Sequence, residues 1–392
     1  MPRVLVVRGH QATPWELRPW TLLPDRYEVE LLRTGPNAYD TSGAGLAEVA
    51  VQTRRDRFPS GRVGDLLTRV VGDRYTGDAA DAAFARADVV HAEELSYWFS
   101  ADAARRKLAG GRFQLVQTVW ETLPLGTTFR NAQAKGWRDE VIAATDLFLA
   151  ATERARDGLL LEGVPAEKIR INQAGVDLER FSARDAPAPS EHVILSPGRL
   201  VWEKGHHDVL RAVAALHRGL VGESVRPRVL LIGHGPEEAR LRAYAEELGL
   251  GEFVEIRGVP YDEMPATFAA ASAMVLASLP SATSQLHVFD LPRAFWEEQF
   301  GYVLAEAMAA GLDIVASTSG AIPEVLDGTG TLVAPGDYMG IARALAAGPL
   351  SRPPGTRVAY PETLLQRYSV EAMAGRLADA YDAVLAATSA RT

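Results

Sequence analysis

Trp296–Glu324 reads WEEQFGYVLAEAMAAGLDIVASTSGAIPE, and the rest of the chain can be read outward from it. Glu298 and Glu306 enclose Phe300 and Gly301, and Tyr302 to Ala310 has the Ala, Leu, Val and Met make-up of a buried helix. That helix is expected to end at Gly311 and to be followed by a short strand, Ile314 to Ala316. A Ser-Thr-Ser-Gly loop then leads through Pro323 into another helix start.

The layout suits an anionic ligand whose polar end meets the start of a helix. First-turn N–H groups and the positive end of the helix dipole attract phosphate. Gly301 lets the backbone come close, Glu298 lies just outside the helix, and Glu306 lies about two turns further in. Carboxylates accept hydrogen bonds from hydroxyls, so two of them beside a nest of N–H groups suit a sugar nucleotide. Read singly, either Glu is better explained as a solvated or dipole-satisfying carboxylate. Glu306, however, is set among Leu304, Ala305, Ala307 and Met308, where an unpaired charge is costly. A glycosidase pair is excluded, because two Glu eight positions apart on a helical segment are ~12 Å apart along its axis, beyond the ~5–10 Å that chemistry needs.

The order E-x-F-G-x-x-x-x-E, A-M-A-x-G, S-x-x-G-x-x-P-E resembles the core signature of retaining glycosyltransferases of the two-Rossmann type (GT-B), in the large family that includes sucrose synthases and mannosyltransferases. It stands here as Glu298, Phe300, Gly301, Glu306, Ala307, Met308, Ala309, Gly311, Ser317, Gly320, Pro323 and Glu324. Upstream, the family's G-R-x-x-x-x-K-G is matched by Gly198, Arg199, Lys204 and Gly205, two cations at a strand-to-helix turn that would clamp a diphosphate. The resemblance implies donor binding by these residues and by Gly258, Val259, Tyr302 and Val303. It further implies transfer with retention, Arg199 and Lys204 neutralising the leaving diphosphate without a metal, Glu298 positioning the donor sugar, and Glu306 holding the ribose. The expected donor is a UDP-, GDP- or other nucleoside diphosphate sugar, with no cofactor. The acceptor is left open among sugar, lipid-linked and small-molecule classes. A nucleotide-sugar epimerase or hydrolase on the same fold, and a non-catalytic nucleotide-sugar-binding protein, stand as alternatives.

The 392 residues suffice for two α/β domains, and the resemblance implies that these are Rossmann-like parallel sheets with helices facing a central cleft. The expected boundaries are an acceptor-binding domain over 1–177, a Pro/Ala/Ser-rich linker over 178–190 and a donor-binding domain over 191–368. The resemblance further implies that a C-terminal helix over 369–392 crosses back to the first domain. Strands are expected at Val4 to Val7, Tyr27 to Leu32, Asp88 to His91, Leu115 to Val119 and Phe148 to Ala150, and in the second half at Val193 to Ser196, Val229 to Ile232, Val254 to Ile256 and Met274 to Ala277. Gly233-His234-Gly235 is not a dinucleotide fingerprint, since its third glycine position holds Glu238, whose charge would oppose a pyrophosphate.

The first half supplies weaker signals. Gly9, His91, Trp120 and Glu121 follow or end strands and are cleft candidates, the family's usual histidine being replaced at Trp120. His10 to Trp20 is read as a loop, either reaching the cleft to help hold substrate, as the resemblance implies, or fixed on the surface by its prolines. A long loop, Ser278 to Trp296, is expected to wall the acceptor or donor site. Val51 to Arg74 holds six Arg against three Asp in a chain of net charge −9, which is read as a solvated helix face with peripheral membrane contact as the alternative. The acidic balance argues against nucleic acid. The absence of cysteine excludes disulfides and thiol chemistry, and no metal site is expected. Too short an N-terminal apolar run for a signal peptide and no run of ~20 apolar residues make the cytoplasm, or the inner face of the membrane, the expected location.

Overall fold

The computed structural model describes residues 1–35, 37–126, 131–183, 187–223, 225–280 and 296–389. The chain divides into two compact units, Met1–Gly175 with Val370–Thr392, and Val176–Ser369. In the first unit β1 (Arg3–Val7), α1 (Pro14–Thr21), β2 (Glu28–Thr34), β3 (Ala47–Val51), α2 (Arg62–Val71), α3 (Asp78–Arg86), β4 (Val89–Glu93) and α4 (Trp98–Leu108) are followed by β5 (Gln114–Val119), α5 (Ala132–Ala144), β6 (Leu147–Ala150), α6 (Glu153–Leu161) and β7 (Ile169–Ile171). Its strands form one parallel sheet in the order β3-β2-β1-β4-β5-β6-β7.

Strand pleating explains why β1 is apolar throughout. Val4 and Val6 enter one core with Leu17 and Trp20 of α1, while Leu5 and Val7 enter the opposite core with Phe84, Phe99 and Ala103. The unit closes with the last helix of the chain, α15 (Val370–Ser389), after the remaining helices numbered below. Met373, Leu377, Tyr381 and Val384 of α15 fall at helical spacing and are buried against the face that carries Val4 and Val6. The Tyr381 hydroxyl accepts from Trp20 Nε1 at 2.8 Å and meets His91 Nδ1 at 2.5 Å, and His91 Nε2 meets Thr118 Oγ1 at 2.8 Å.

Two expectations are corrected here. His10 to Trp20 is not wholly a loop: Thr13 caps α1 by accepting from the Glu16 N–H, and Pro14 opens the helix, where its missing N–H costs nothing. The prolines that suggested a loop are in fact a helix start and one interior position, Pro19. His91 is not a cleft residue, since it is fully buried and bonded on both ring nitrogens.

The second unit runs α7 (Leu178–Phe181), β8 (Val193–Pro197), α8 (His206–His217), β9 (Arg228–Ile232), α9 (Glu238–Glu247), β10 (Val254–Arg257), α10 (Met264–Ala269) and β11 (Ala273–Leu276). It continues with α11 (Tyr302–Ala309), β12 (Asp313–Ser317), α12 (Ile322–Leu326), β13 (Thr331–Val333), α13 (Tyr338–Ala347) and α14 (Glu362–Arg367). All its strands are parallel, in the order β10-β9-β8-β11-β12-β13. The 178–190 linker is also corrected. α7 is part of this unit, with Phe181 fully buried in edge-to-face contact with Tyr261 and Phe268, so apolar packing overrides the small-residue composition that follows it. Among the described residues, no helix is long and apolar enough to cross a membrane.

Tyr381→Phe should remove a donor and acceptor that Trp20 and His91 both use, leaving buried polar atoms unpaired. Destabilisation of about 1–3 kcal/mol in urea unfolding, with an unchanged spectrum, is expected; an unchanged midpoint would show that α15 is held by apolar contact alone.

Candidate functional site

The order of the second sheet reverses between β8 and β11. From β8 the chain winds outward through β9 to β10, and from β11 it winds the other way through β12 to β13. The loops leaving these two neighbouring strands must therefore part, and a ligand crevice forms at such a point beyond the carboxyl ends of the strands. Two close backbone approaches shape it. Gly205, at φ +66°, starts α8 so near β11 that a Cβ would lie 2.0 Å from the Ala277 carbonyl oxygen. Gly320, at φ +56°, lies as close to the Glu298 carbonyl oxygen.

These approaches bring the two sequence signatures together. Lys204 Nζ donates to both oxygens of Glu298, at 3.0 and 2.7 Å, and the two side chains are only 14% and 6% exposed. The Ser278 hydroxyl donates to Glu298 Oε2 at 2.7 Å, and the Lys204 ammonium lies 4.8 Å from the centre of the Trp296 ring. The Glu298 carbonyl accepts from the Ala321 N–H, and its own N–H donates to Ser319 Oγ. A shared charge pair of this kind is strongly oriented, and it sits where phosphate and hydroxyls were expected from the sequence.

Gly301, at φ +76°, precedes α11 and offers no capping side chain, with Tyr302 and Val303 in the first turn. Phe300 is buried, edge-on to Tyr302 and Tyr368. Gly198 and Arg199 leave β8, and the Arg199 side chain is exposed while its carbonyl accepts from His206 Nε2 at 3.1 Å. With Nε2 donating, the His206 Nδ1 accepts from Ser196 Oγ at 3.0 Å, which fixes a neutral ring. Burial holds that ring down at about 4. Gly258 and Val259 follow β10, where a side chain at Gly258 would strike the His234 ring. Arg199 and Lys204 were expected to share the clamp equally, whereas of the two Lys204 is the one engaged with the first glutamate.

Glu306 is 5% exposed, and its pKa is pushed up to about 8 by burial, with the Arg180 charge and a hydrogen bond from Tyr261 acting against the shift. Arg180 Nη2 donates to the Tyr261 carbonyl at 3.1 Å and to Asp262 at 2.7 Å, and its guanidinium lies 4.7 Å from the centre of the Tyr261 ring. Sequence reasoning passed over Arg180 because it stands in the segment read as linker, and over Ser278, Ser319 and Tyr261 because single hydroxyls carry no spacing signal. The predicted wall over Ser278 to Trp296 lies, from 281 to 295, outside the described residues.

In the first unit the sheet reverses between β1 and β4. Gly9 is buried against Phe99 just beyond β1. Just after β1, Arg8 pairs at 3.4 Å with Glu93 at the end of β4, and the next residue, Glu94, at φ +61°, accepts from the N–H groups of Trp120 and Glu121 at 2.8 and 3.1 Å. Burial, followed by the charge of Glu121, raises Glu94 to about 8. Glu121 itself accepts from the N–H groups of Thr122 and Leu123, so it shapes the turn in which it stands. Glu93 and Glu94 were missed, although two carboxylates ending an apolar strand at Val89 to Glu93 were a readable signal.

The Glu306 shift has a stability consequence. Its folded-state pKa lies above the unfolded value of 4.5, so the unfolded chain loses this proton first, and stability falls as pH rises from about 4.5 to about 8. Glu306→Gln should remove that loss. Its melting temperature should exceed that of the wild type at pH 8 and converge with it near pH 5, and parallel pH profiles would show that the carboxyl is ionised in the fold.

Residues 179–347 match the family described as Glycosyl transferases group 1. The putative colanic acid biosynthesis glycosyltransferase WcaL of Escherichia coli (strain K12) is 34% identical over 206 residues, covering 52% of this chain and 47% of that protein. The D-inositol 3-phosphate glycosyltransferase of Streptomyces bingchenggensis (strain BCW-1) is 27% identical over 310 residues, 72% of this chain and 63% of that one. The chain thus spans about half the length of WcaL and less than two thirds of the inositol phosphate enzyme. In three dimensions it resembles Anabaena Alr3699/HepE, solved in complex with UDP, with a TM-score of 0.72 at 18% identity over 98% of this chain and all of that one. Sucrose-phosphate synthase from Thermosynechococcus elongatus gives 0.71 at 19% identity over 99% and 100%. The structural likeness is one of fold: the chain is an α/β protein of the GT-B glycosyltransferase fold, and within it residues 179–347 are similar to the glycosyl transferases group 1.

Proposed function

We propose that this protein transfers a sugar, with retention at its anomeric carbon, from a nucleoside diphosphate sugar to a hydroxylated acceptor. The observation that carries the reading is the Lys204–Glu298 pair, held at the reversal of the second sheet beside the uncapped start of α11. A diphosphate entering there meets one ammonium and a set of helix N–H groups, and Arg199 stands exposed on the same loop to close on it. As the phosphate takes a share of Lys204, Glu298 is released toward the sugar, where it accepts from ring hydroxyls and stabilises positive charge developing at the anomeric carbon. Ser278 keeps one of its oxygens oriented during that exchange.

Glu306, on the second turn of α11, would take the ribose hydroxyls. The leaving diphosphate would accept the acceptor's proton on the face it departs from, so the acceptor oxygen bonds to the anomeric carbon as the bond from that carbon to the phosphate oxygen breaks. The cationic and N–H groups that meet the diphosphate supply the charge stabilisation this step needs, without a metal ion. HepE's complex with UDP and glucose, and the GDP-mannose-dependent mannosyltransferase of Mycolicibacterium smegmatis, 34% identical over 170 residues, support the ligand class and leave the base open.

A panel of UDP-, GDP-, ADP- and TDP-sugars in thermal denaturation should give a rise in melting temperature with the matching donor, since a bound ligand stabilises by mass action. Donor consumption that needs no acceptor would replace transfer by hydrolysis or epimerisation, and binding without turnover would make the protein a sensor. Lys204→Ala should weaken UDP or GDP binding by roughly tenfold or more. Because it also strands a buried carboxylate at a cost of about 3–5 kcal/mol, the double variant Lys204→Met with Glu298→Gln should regain stability without regaining affinity. Unchanged nucleotide affinity in either variant would refute the clamp.

A further inference from the structure

Helices α8 and α9 are neighbours in the second unit, and they wall a cavity of about 370 Å³ that includes none of the residues assigned to the donor. Val201, Leu241 and Ala243 give it an apolar lining. Its aromatic rings come from two elements: Tyr244 from α9, and Trp202 from the single turn Trp202–Lys204 that precedes α8. Trp202 is 44% exposed, yet its indole is held in place, because the His207 ring stacks on one face with centroids 4.1 Å and planes 17° apart. His207 is itself buried, and burial lowers its pKa against the pull of Asp208, so the stacking partner is a neutral ring. The result is a fixed aromatic surface on a small cavity, which a flat ring with an apolar face can enter without reordering the protein.

The charges around the cavity say what kind of ring that is. Arg211 Nη1 donates to the buried Asp208 at 2.7 Å and its Nε to the Tyr244 hydroxyl at 2.7 Å, while Arg240 pairs with Glu237 at 2.9 Å. Glu247 adds an exposed carboxylate. Each guanidinium at the cavity is thus already matched by a carboxylate, and a phosphate brought here would find no cation to spare. A neutral polyol suits the same lining, since its hydroxyls both donate to carboxylates and accept from guanidinium N–H groups. Its C–H face can lie on the indole, whose π face is negative. Aromatic surface flanked by planar acceptors and donors, with no net positive charge, is the chemistry of a saccharide rather than of a nucleotide.

We propose that the cavity between α8 and α9 is a second carbohydrate site, in which a neutral sugar ring lies on Trp202 and is held through its hydroxyls by Glu237, Arg240 and Glu247. The turn that offers Trp202 carries Lys204 at its other end. On the strand side this turn is pinned: the Glu203 carbonyl accepts from the Leu279 N–H at 2.8 Å, and Gly205 leaves no room for a side chain against the Ala277 carbonyl. A sugar on Trp202 fixes the remaining end, so its binding is coupled to the placing of the Lys204 ammonium. That coupling, unlike the site itself, rests on the transferase reading.

The test is saturation-transfer NMR on the whole chain, with maltotriose, mannotriose, galactotriose and chitotriose as probes beside adenosine and a hexaproline peptide. Transfer is expected to at least one trisaccharide, concentrated on the C–H groups of one ring. Trp202→Ala should lower its affinity by roughly tenfold or more, the usual loss when an aromatic anchor is truncated. Ala243→Trp, at an exposed position of α9, should fill the cavity and do the same, while leaving the melting temperature and the donor-induced rise unchanged. With the trisaccharide bound, affinity for the nucleoside diphosphate that binds, UDP or GDP, should change by roughly fivefold or more, and this change should vanish in Ala243→Trp. The proposal is overturned if no trisaccharide receives transfer, or if either variant binds it as the wild type does. It is overturned too if adenosine or the peptide takes the Trp202-dependent signal in place of a sugar. An unchanged nucleotide affinity would overturn the coupling. Absent saccharide transfer beside an intact donor response would remove this site and leave sugar transfer standing.

Discussion

The second unit depends on a nearly buried meeting of opposite charges. Lys204 and Glu298 are 94 positions apart, and neither could be withdrawn from water alone without a penalty of several kcal/mol. Their contact requires α8 to start within backbone distance of β11 and the strand-like stretch before α11 to lie against the loop after β12, hence the close approaches at Gly205 and Gly320. Ser278 and Ser319 supply the hydrogen bonds that a desolvated carboxylate and its N–H otherwise lack. Such a pair is a poor source of stability and a good source of orientation. Its position at the sheet reversal gives that orientation a chemical use.

The two carboxylates of the signature have been given opposite electrostatic settings. Glu298 faces an ammonium 2.7 Å away, whereas Glu306, two turns along, is dominated by burial, which raises its pKa to about 8 and keeps it protonated below that pH. A carboxyl that keeps its proton can both donate and accept, so it suits a pair of neighbouring hydroxyls, while a charge-paired one can trade its cation for an anionic ligand. Glu94 in the first unit shares the burial-driven state of Glu306 with another purpose, since it holds the turn that carries Trp120 and Glu121.

Much of this was readable in the residues. Continuous apolar runs such as Val4 to Val7 marked parallel strands covered on both faces, and the two cores confirm why each residue of the run had to be apolar. The spacing of Glu298, Gly301 and Glu306 located the start of α11 correctly. What escaped the sequence had a physical cause in each case. Pro14 and Pro19 resembled loop residues because helix-start prolines and loop prolines differ only in their surroundings. Phe181 was lost in a Pro/Ala/Ser-rich stretch because one aromatic ring, once buried, outweighs the composition around it. β3 was missed because Ala47–Val51 has a partly exposed, mixed composition that offers no periodicity to read. His91 ended an apolar strand and looked available, yet its two partners, Thr118 and Tyr381, come from distant parts of the chain.

The first unit is assembled from two separated pieces of chain, with α15 supplying the wall for Val4, Val6 and Leu31. During synthesis those side chains emerge hundreds of residues before the helix that shields them. Until α15 has been made, this face of the sheet stays open to water and to other nascent chains, whereas the second unit has all its own parts as soon as residue 369 is made. Completion of the first unit therefore waits for α15, and a polypeptide cut short within α15 would carry a finished second unit joined to an unfinished, adhesive first one.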